Sequence, residues 1–572
     1  LRLLLFTAFS FLSVQATRNS HQFAAVVGAI TAWNFGEWGA ALHQRRLARL
    51  ESAVVTSGSR APAAALAVVV AVLAWVGSGL FFQMTGEGRV LGLGEEPVFF
   101  AHEAAKFAGR DQMPARFVSF HNAHASLFEY YHGPARKVYT DPRLEVAGAE
   151  LFERYIDLTK RLSEDSPGWE AQLSDMGRPV VMVDHEHNWQ IGATLFRSDH
   201  WRCVWFDPIV AVFVHDSYRG VVKTDAVDFG SRHFDARAKP DKCSLAELIA
   251  LAKAARSYAP AVGPPGSDLH QQFTWLGLDD ARRALERQPN MLDAWKLLGQ
   301  IELFRELLPD DFSPRFRYAF DPVLDLSMVR ATFALKRAAE LGEDDFSTLM
   351  SLRMAFDTRL MYEAALSIID KIAGLTPTNL SQTTEQAKNA VKRKEYQQKL
   401  GDSVPTSWRN LSELDEIVTA LLGSGRAARA LELLERSYPA GKATWPIADR
   451  IATLHLHLGE PALARASWEK ATSAPQPGRR EARIGTTFLV EGDFAAARTF
   501  YQSAIKADPK FFEALYCLAV LEADAGDALS ARQFALGAVA AAPDPHARTA
   551  AQEIAAAVAR YANERGHRTT AD

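Results

Sequence analysis

Apolar and polar residues are distributed along the chain in three regimes. Residues 61–82, "APAAALAVVVAVLAWVGSGLFF", run for 22 positions without a charge. As a helix that length crosses roughly 30 Å of hydrocarbon, which predicts a transmembrane span. The run from Phe23 to Leu42 is weaker, because Asn34 and Glu37 interrupt it. From about Pro97 the pattern changes to short apolar runs alternating with helical periodicity. Strands are expected at 115–120, 136–140 and 179–186, and "WRCVWFD" and "IVAVFVH" form a hairpin about Asp207-Pro208. Helices are expected between them, which together predict a mixed α/β sandwich over 84–255. The segment 256–269, "RSYAPAVGPPGSDL", reads as a linker because it is rich in Pro, Gly and Ala. Helical periodicity then continues to the end. The expected fold class is therefore an α+β multidomain chain: transmembrane helices, then the sandwich, then an all-α superhelix.

The third regime carries a repeat. Gly425, Gly459, Gly492 and Gly526 recur at steps of 34, 33 and 34 residues, and Ala430, Ala464, Ala497 and Ala531 keep the same steps. Pro475, Pro509 and Pro543 are each 34 apart. That spacing resembles the tetratricopeptide (TPR) helix–turn–helix repeat. Small residues are needed where two helices cross closely, and large ones fill the gaps between units. Trp295, Leu298 and Gly299 also match its W-x-x-L-G element. Degenerate units are expected over 270–377, a polar helical connection over 378–410, units again over 411–545, and a capping helix and tail over 546–572. The resemblance implies a groove for a protein or peptide partner.

Charge narrows the classes. With 64 basic and 68 acidic residues the net charge is −4, so no basic excess points to nucleic acid. Cys203, Cys243 and Cys517 lack the spacing of a zinc site or a disulfide framework, and read as buried thiols. Arg45, Arg46, Arg49 and Arg60 against Glu51 mark residues 43–60 as a cytoplasmic loop. The reading is then an integral membrane protein whose residues after about 83 are extracytoplasmic. The chain opens at Leu1 inside an apolar run, "LRLLLFTAFSFLSVQA", which reads as the start of a fragment. The alternative is a signal peptide cleaved after Val14-Gln15-Ala16.

Candidate chemistry gathers where the expected strands end, the edge at which open α/β sheets bind ligands. His121, Asn122 and His124 follow the first strand, Asp141 and Arg143 the second, and Asp184, His185 and His187 the third. His121, Asn122, Asp141 and Arg143 form the candidate polar edge, although Asp141 with Arg143 also reads as a turn or ion pair. His185 and His187 share a strand face, but no third ligand stands at a telling spacing, so no metal site is assigned. Neither a Gly-rich phosphate loop nor a G-x-S-x-G elbow is present, and no cofactor is expected.

The stretches "FVSFHNAHASLFEYYHGPARKVYTDPRLEV", "WEAQLSDMG" and "HWRCVWFDPIVAVFVH", after an apolar region, resemble the C-terminal end of bacterial GT-C-type membrane glycosyltransferases. The resemblance covers roughly residues 1–220. It implies a polyprenyl-phosphate sugar donor in the full-length protein and a catalytic acid in an early loop that no residue here matches, so the catalytic half lies outside this chain. Two functions follow: the tail of such an enzyme with repeats that engage a partner, or a non-catalytic membrane-tethered TPR scaffold. Membrane lipid is a further expected contact.

Overall fold

The computed structural model describes residues 71, 75, 98–139, 148–235, 243–306, 321, 323–401, 408–438, 443–472 and 474–568. The chain divides into two compact units, Leu1–Leu91 and Gly92–Asp572, and the elements below belong to the second. The structure is 70% helical, with one small sheet of five strands.

That sheet has the order β2-β1-β3-β5-β4, with β1 Arg116–Ser119, β2 Lys137–Val138, β3 Val180–Asp184, β4 Trp201–Phe206 and β5 Val210–His215. β1 runs parallel to both β2 and β3, whereas β3–β5 and β5–β4 are antiparallel. β3 is buried at every position, as expected for a strand covered on both faces. On one face Phe117, Val180, Met182, Val212 and Val214 pack with Phe107 and Phe128 of helices His102–Ala108 and Asn122–His132. On the other, Val118, Val181, Val183 and Phe213 pack with Leu158, Ile191 and Leu195 of helices Ala149–Ser163 and Trp189–Arg197. Asp207 closes the β4–β5 hairpin, its Oδ1 accepting from the backbone N–H groups of Ile209 and Val210 at 2.8 and 2.9 Å. Of the strand expected at 136–140, Lys137–Val138 is found as a two-residue strand at the sheet edge, paired with β1 alone among the described residues.

The expected fold class and location need correction. Among the described residues no helix is long and apolar enough to cross a membrane. Helix Leu245–Val262 shows why: it is apolar but carries Glu247, Lys253 and Arg256, and it is buried against protein. The segments 23–42 and 61–82 that carried the membrane reading lie outside the described residues, apart from the helical positions Ala71 and Trp75. Nor does 256–269 separate two cores. It holds the end of helix Leu245–Val262 and the start of helix Asp268–Arg287, with five residues between. The core on the second sheet face continues into Leu248, Phe273, Leu297, Ile301 and Ala334 of the helical array.

In the array, helices come in consecutive pairs. Trp445–His457 precedes Pro461–Lys470, Arg479–Glu491 precedes Phe494–Ala507, and Phe512–Asp524 precedes Ala528–Ala541. Ala430, Ala464, Ala497 and Ala531 are all fully buried, and four residues on, Leu434, Trp468 and Tyr501 fill the space between helices. The first helix of each pair ends at Gly459, Gly492 or Gly526, all with positive φ. Asp493 and Asp527 then cap the second helices of the last two pairs.

Among the described residues, helix Leu326–Leu341 packs on the first helices of the pairs. Val323, Leu326 and Val329, the last two on helix Leu326–Leu341, pack with Trp445, Ala448, Ala452 and Leu456. Lys336 ties the same helix to Glu460 at 2.7 Å. A Cβ on Gly526 would stand 2.8 Å from the His233 carbonyl oxygen, so this turn meets helix Phe229–Phe234 of the sheet region at backbone contact. His233 Nε2 donates to the Ala523 carbonyl at 2.7 Å. Helix Phe512–Asp524 is therefore buried on almost all sides, from Ala514 to Asp524 except Tyr516.

A buried ionic cluster reinforces this closure. Asp524 lies 2.6 Å from Arg330, 3.2 Å from Arg282 and 3.4 Å from Arg305, while Glu302 lies 2.9 Å from Arg330. Both carboxylates are fully buried, and the five groups join four helices separated by up to 242 residues of chain.

Candidate functional site

β1 and β3 are adjacent and parallel, with Ser119 opposite Met182, so their C-terminal ends lie side by side. After β1 the chain turns into helix Asn122–His132 on one face, and after β3 into helix Trp189–Arg197 on the other. Diverging connections of this kind open a crevice at the strand ends, the usual ligand position in open α/β sheets.

Four side chains meet there. Asp184, the last residue of β3, is buried, and its Oδ1 accepts from the backbone N–H groups of Glu186 and His187 at 2.9 and 2.8 Å. The same oxygen accepts from His187 Nδ1 at 3.0 Å, and Oδ2 accepts from His124 Nε2 at 3.0 Å. Burial pushes the Asp184 carboxyl upward, but His124 and His187 with these N–H groups hold it well below the usual carboxylate range. It is a fixed, ionised acceptor. His121 occupies the N-cap of helix Asn122–His132 and its ring lies 4.8 Å from that of His124 and 5.2 Å from that of His187. Burial, aided by His124, lowers the His121 pKa and favours the neutral imidazole. The Nδ1 atoms of His121 and His124 are buried and have no hydrogen-bond partner.

Donor atoms of His121, Asp184 and His187 all lie within 4.8 Å of one another. Two residues from the sequence-derived edge are here: His121, and Asn122 as the first residue of its helix. Asp141 and Arg143 lie outside the described residues. His185, paired with His187 in the sequence reading, points elsewhere. Its Nδ1 lies 3.1 Å from the Tyr258 hydroxyl, and its Nε2 donates to the Asp207 carbonyl at 2.9 Å. Burial pulls its pKa down to about 4. The residue the sequence reading left without a role is Asp184; its position at the end of a fully apolar strand was the available signal.

Other groupings are less developed. His200, His215 and Asp216 also cluster, but at the surface and already paired, at 3.3 Å for His200–Asp216 and 3.1 Å for His215–Asp216. A cavity of about 360 Å³ beside β4 is lined by Phe206, Asp228 and Arg232. There Arg232 donates to the Phe206 carbonyl at 2.7 Å and Asp228 pairs with Arg560 at 2.7 Å. On the helical array, a groove of about 210 Å³ is lined by Tyr438, Ile451, Leu463 and Ala466, with Glu435 and Lys470 among its polar residues.

No protein-family model matches the chain, and no curated protein matches it in sequence.

Proposed function

We propose that the protein is a helical-repeat scaffold that holds a segment of a partner protein on the outer side of its paired helices. The observation that carries this reading is the groove between helices Ala427–Ser437, Trp445–His457 and Pro461–Lys470. It is mainly apolar and has room for a large side chain. Leu463 stands on it half-exposed, at 52%, and extends its apolar lining to the surface. Lys470 is exposed on the same groove and suits an acidic neighbour of the anchoring residue.

The TPR resemblance points instead to a concave groove, but in this chain helix Leu326–Leu341 covers the inner helices. Binding between the second helices of neighbouring pairs, Ala427–Ser437 and Pro461–Lys470, is therefore the form of scaffold that the packing favours. The test is selection of a displayed peptide library on the full chain, followed by anisotropy titration of the selected peptides. Sequences with an apolar anchor next to an acidic residue are expected. Leu463→Asp and Ala466→Glu are expected to weaken them at least about tenfold, ~1.4 kcal/mol. No enriched sequence, or affinities untouched by both variants, would overturn the reading.

A further inference from the structure

We propose that His121, Asp184 and His187 form a binding site for a divalent transition metal, with Zn²⁺ the natural probe. Two strand ends deliver two imidazoles and one carboxylate to a single crevice, with their donor atoms within 4.8 Å of one another. Two nitrogens and one oxygen are a ligand set that zinc and its neighbours accept, leaving at least one coordination position for water or a substrate. Hard cations such as Mg²⁺ prefer oxygen-only surroundings.

The individual distances fit. His187 Nδ1 and Asp184 Oδ1 are 3.0 Å apart. Donors bound at about 2.1 Å around a tetrahedral zinc stand roughly 3.4 Å apart. A metal can therefore take the place of the proton these two atoms share, that proton leaving to solvent while Nε2 of His187 carries the one that keeps the imidazole neutral. His121 Nδ1 is buried without a hydrogen-bond partner, which costs free energy unless something else takes its lone pair.

The surroundings are built as metal sites are. Asp184 is held by His124 on Oδ2 and by two backbone N–H groups on Oδ1, so its carboxylate does not have to be fixed when the metal arrives. His124 is fully buried and acts through Asp184, as a positioning residue. His187 keeps 59% of its side chain exposed, giving the metal a route in.

The test uses the untagged full chain, freed of metal with a chelator. Calorimetric titration with Zn²⁺ and visible absorption with Co²⁺ are expected to show a site lost in the His121→Ala/His187→Ala double variant. Each single variant is expected to bind at least about 100-fold more weakly, and His124→Ala about 10–100-fold more weakly. A His200→Ala/His215→Ala variant should retain the site. Circular dichroism checks that all variants fold; His187, being exposed, is the safest. Absence of binding to the wild type, or binding unchanged in the His121/His187 double variant, would overturn the proposal. So would loss in the His200/His215 variant alone.

Discussion

Replacing Asp524 by Asn tests whether the array is held closed by its buried ions. In the native cluster Arg282, Arg305 and Arg330 face Asp524 and Glu302, three positive groups against two negative. Burial alone would raise the Asp524 pKa, but the fields of Arg305, Arg330 and Arg282 hold it far below the usual carboxylate range. Asp524→Asn keeps the side-chain shape and leaves three guanidinium groups against one carboxylate. Breaking a buried pair from one side costs about 3–5 kcal/mol, because the remaining charge is desolvated and uncompensated. Hydrogen exchange should show the loss in helices Phe512–Asp524 and Leu326–Leu341, as an opening constant raised about 100- to 4,000-fold. Asp524→Leu combined with Arg330→Met restores the balance of charge, at two against one, and should recover part of the loss. An Asp524→Asn protein within about 0.5 kcal/mol of wild type would refute the role of the cluster.

Two further outcomes follow from the packing. Trp468 is fully buried and its Nε1 donates to Asp449 at 2.7 Å; Trp468→Ala should cost about 3–5 kcal/mol in a urea titration and Trp468→Phe clearly less. Stability should also fall on mild acidification. His185 titrates at about 4 in the folded chain against an ordinary 6.5, so the unfolded chain binds the proton first. Its contribution is full above pH 6.5, shrinks as pH falls, and by pH 4 has lost about 3 kcal/mol. The urea midpoint at pH 7, 5.5 and 4.5 measures this, and a midpoint flat over that range would contradict the burial of a neutral His185.

How far these features were legible in the sequence depends on whether they are local. Four strands stood out because β-branched and aromatic runs such as "VVMVD" end at turn residues. Lys137–Val138 is shorter than its apolar pattern suggests and lies at the sheet edge, since such a pattern does not say how many neighbours a strand has. Pro260, Pro264 and Pro265 suggested a linker, yet Pro260 is accommodated in the last turn of helix Leu245–Val262 and only five residues leave helical geometry. The 34-residue period was plain because it is fixed by helix length and turn chemistry. Coverage of the inner helices was not, because it depends on contacts across 100–200 residues. "FEALYCLAVLEAD", apolar almost all round, was its one local sign. At the site, His121 and Asp184 were each visible at a strand end. What joins them is the parallel pairing of β1 with β3, which no spacing in the sequence states.

Helix Leu326–Leu341 covers the first helices of the array, and the proposed partner site is the groove beside Leu463. Hydrogen exchange of the full chain, with and without a peptide selected on it, tests that most directly. The prediction is protection confined to helices Ala427–Ser437, Trp445–His457 and Pro461–Lys470, with helix Leu326–Leu341 unchanged. Peptide-induced exposure of Leu326–Leu341, with new protection along Arg479–Glu491 and Phe512–Asp524, would mean that the partner displaces the covering helix and binds the inner face.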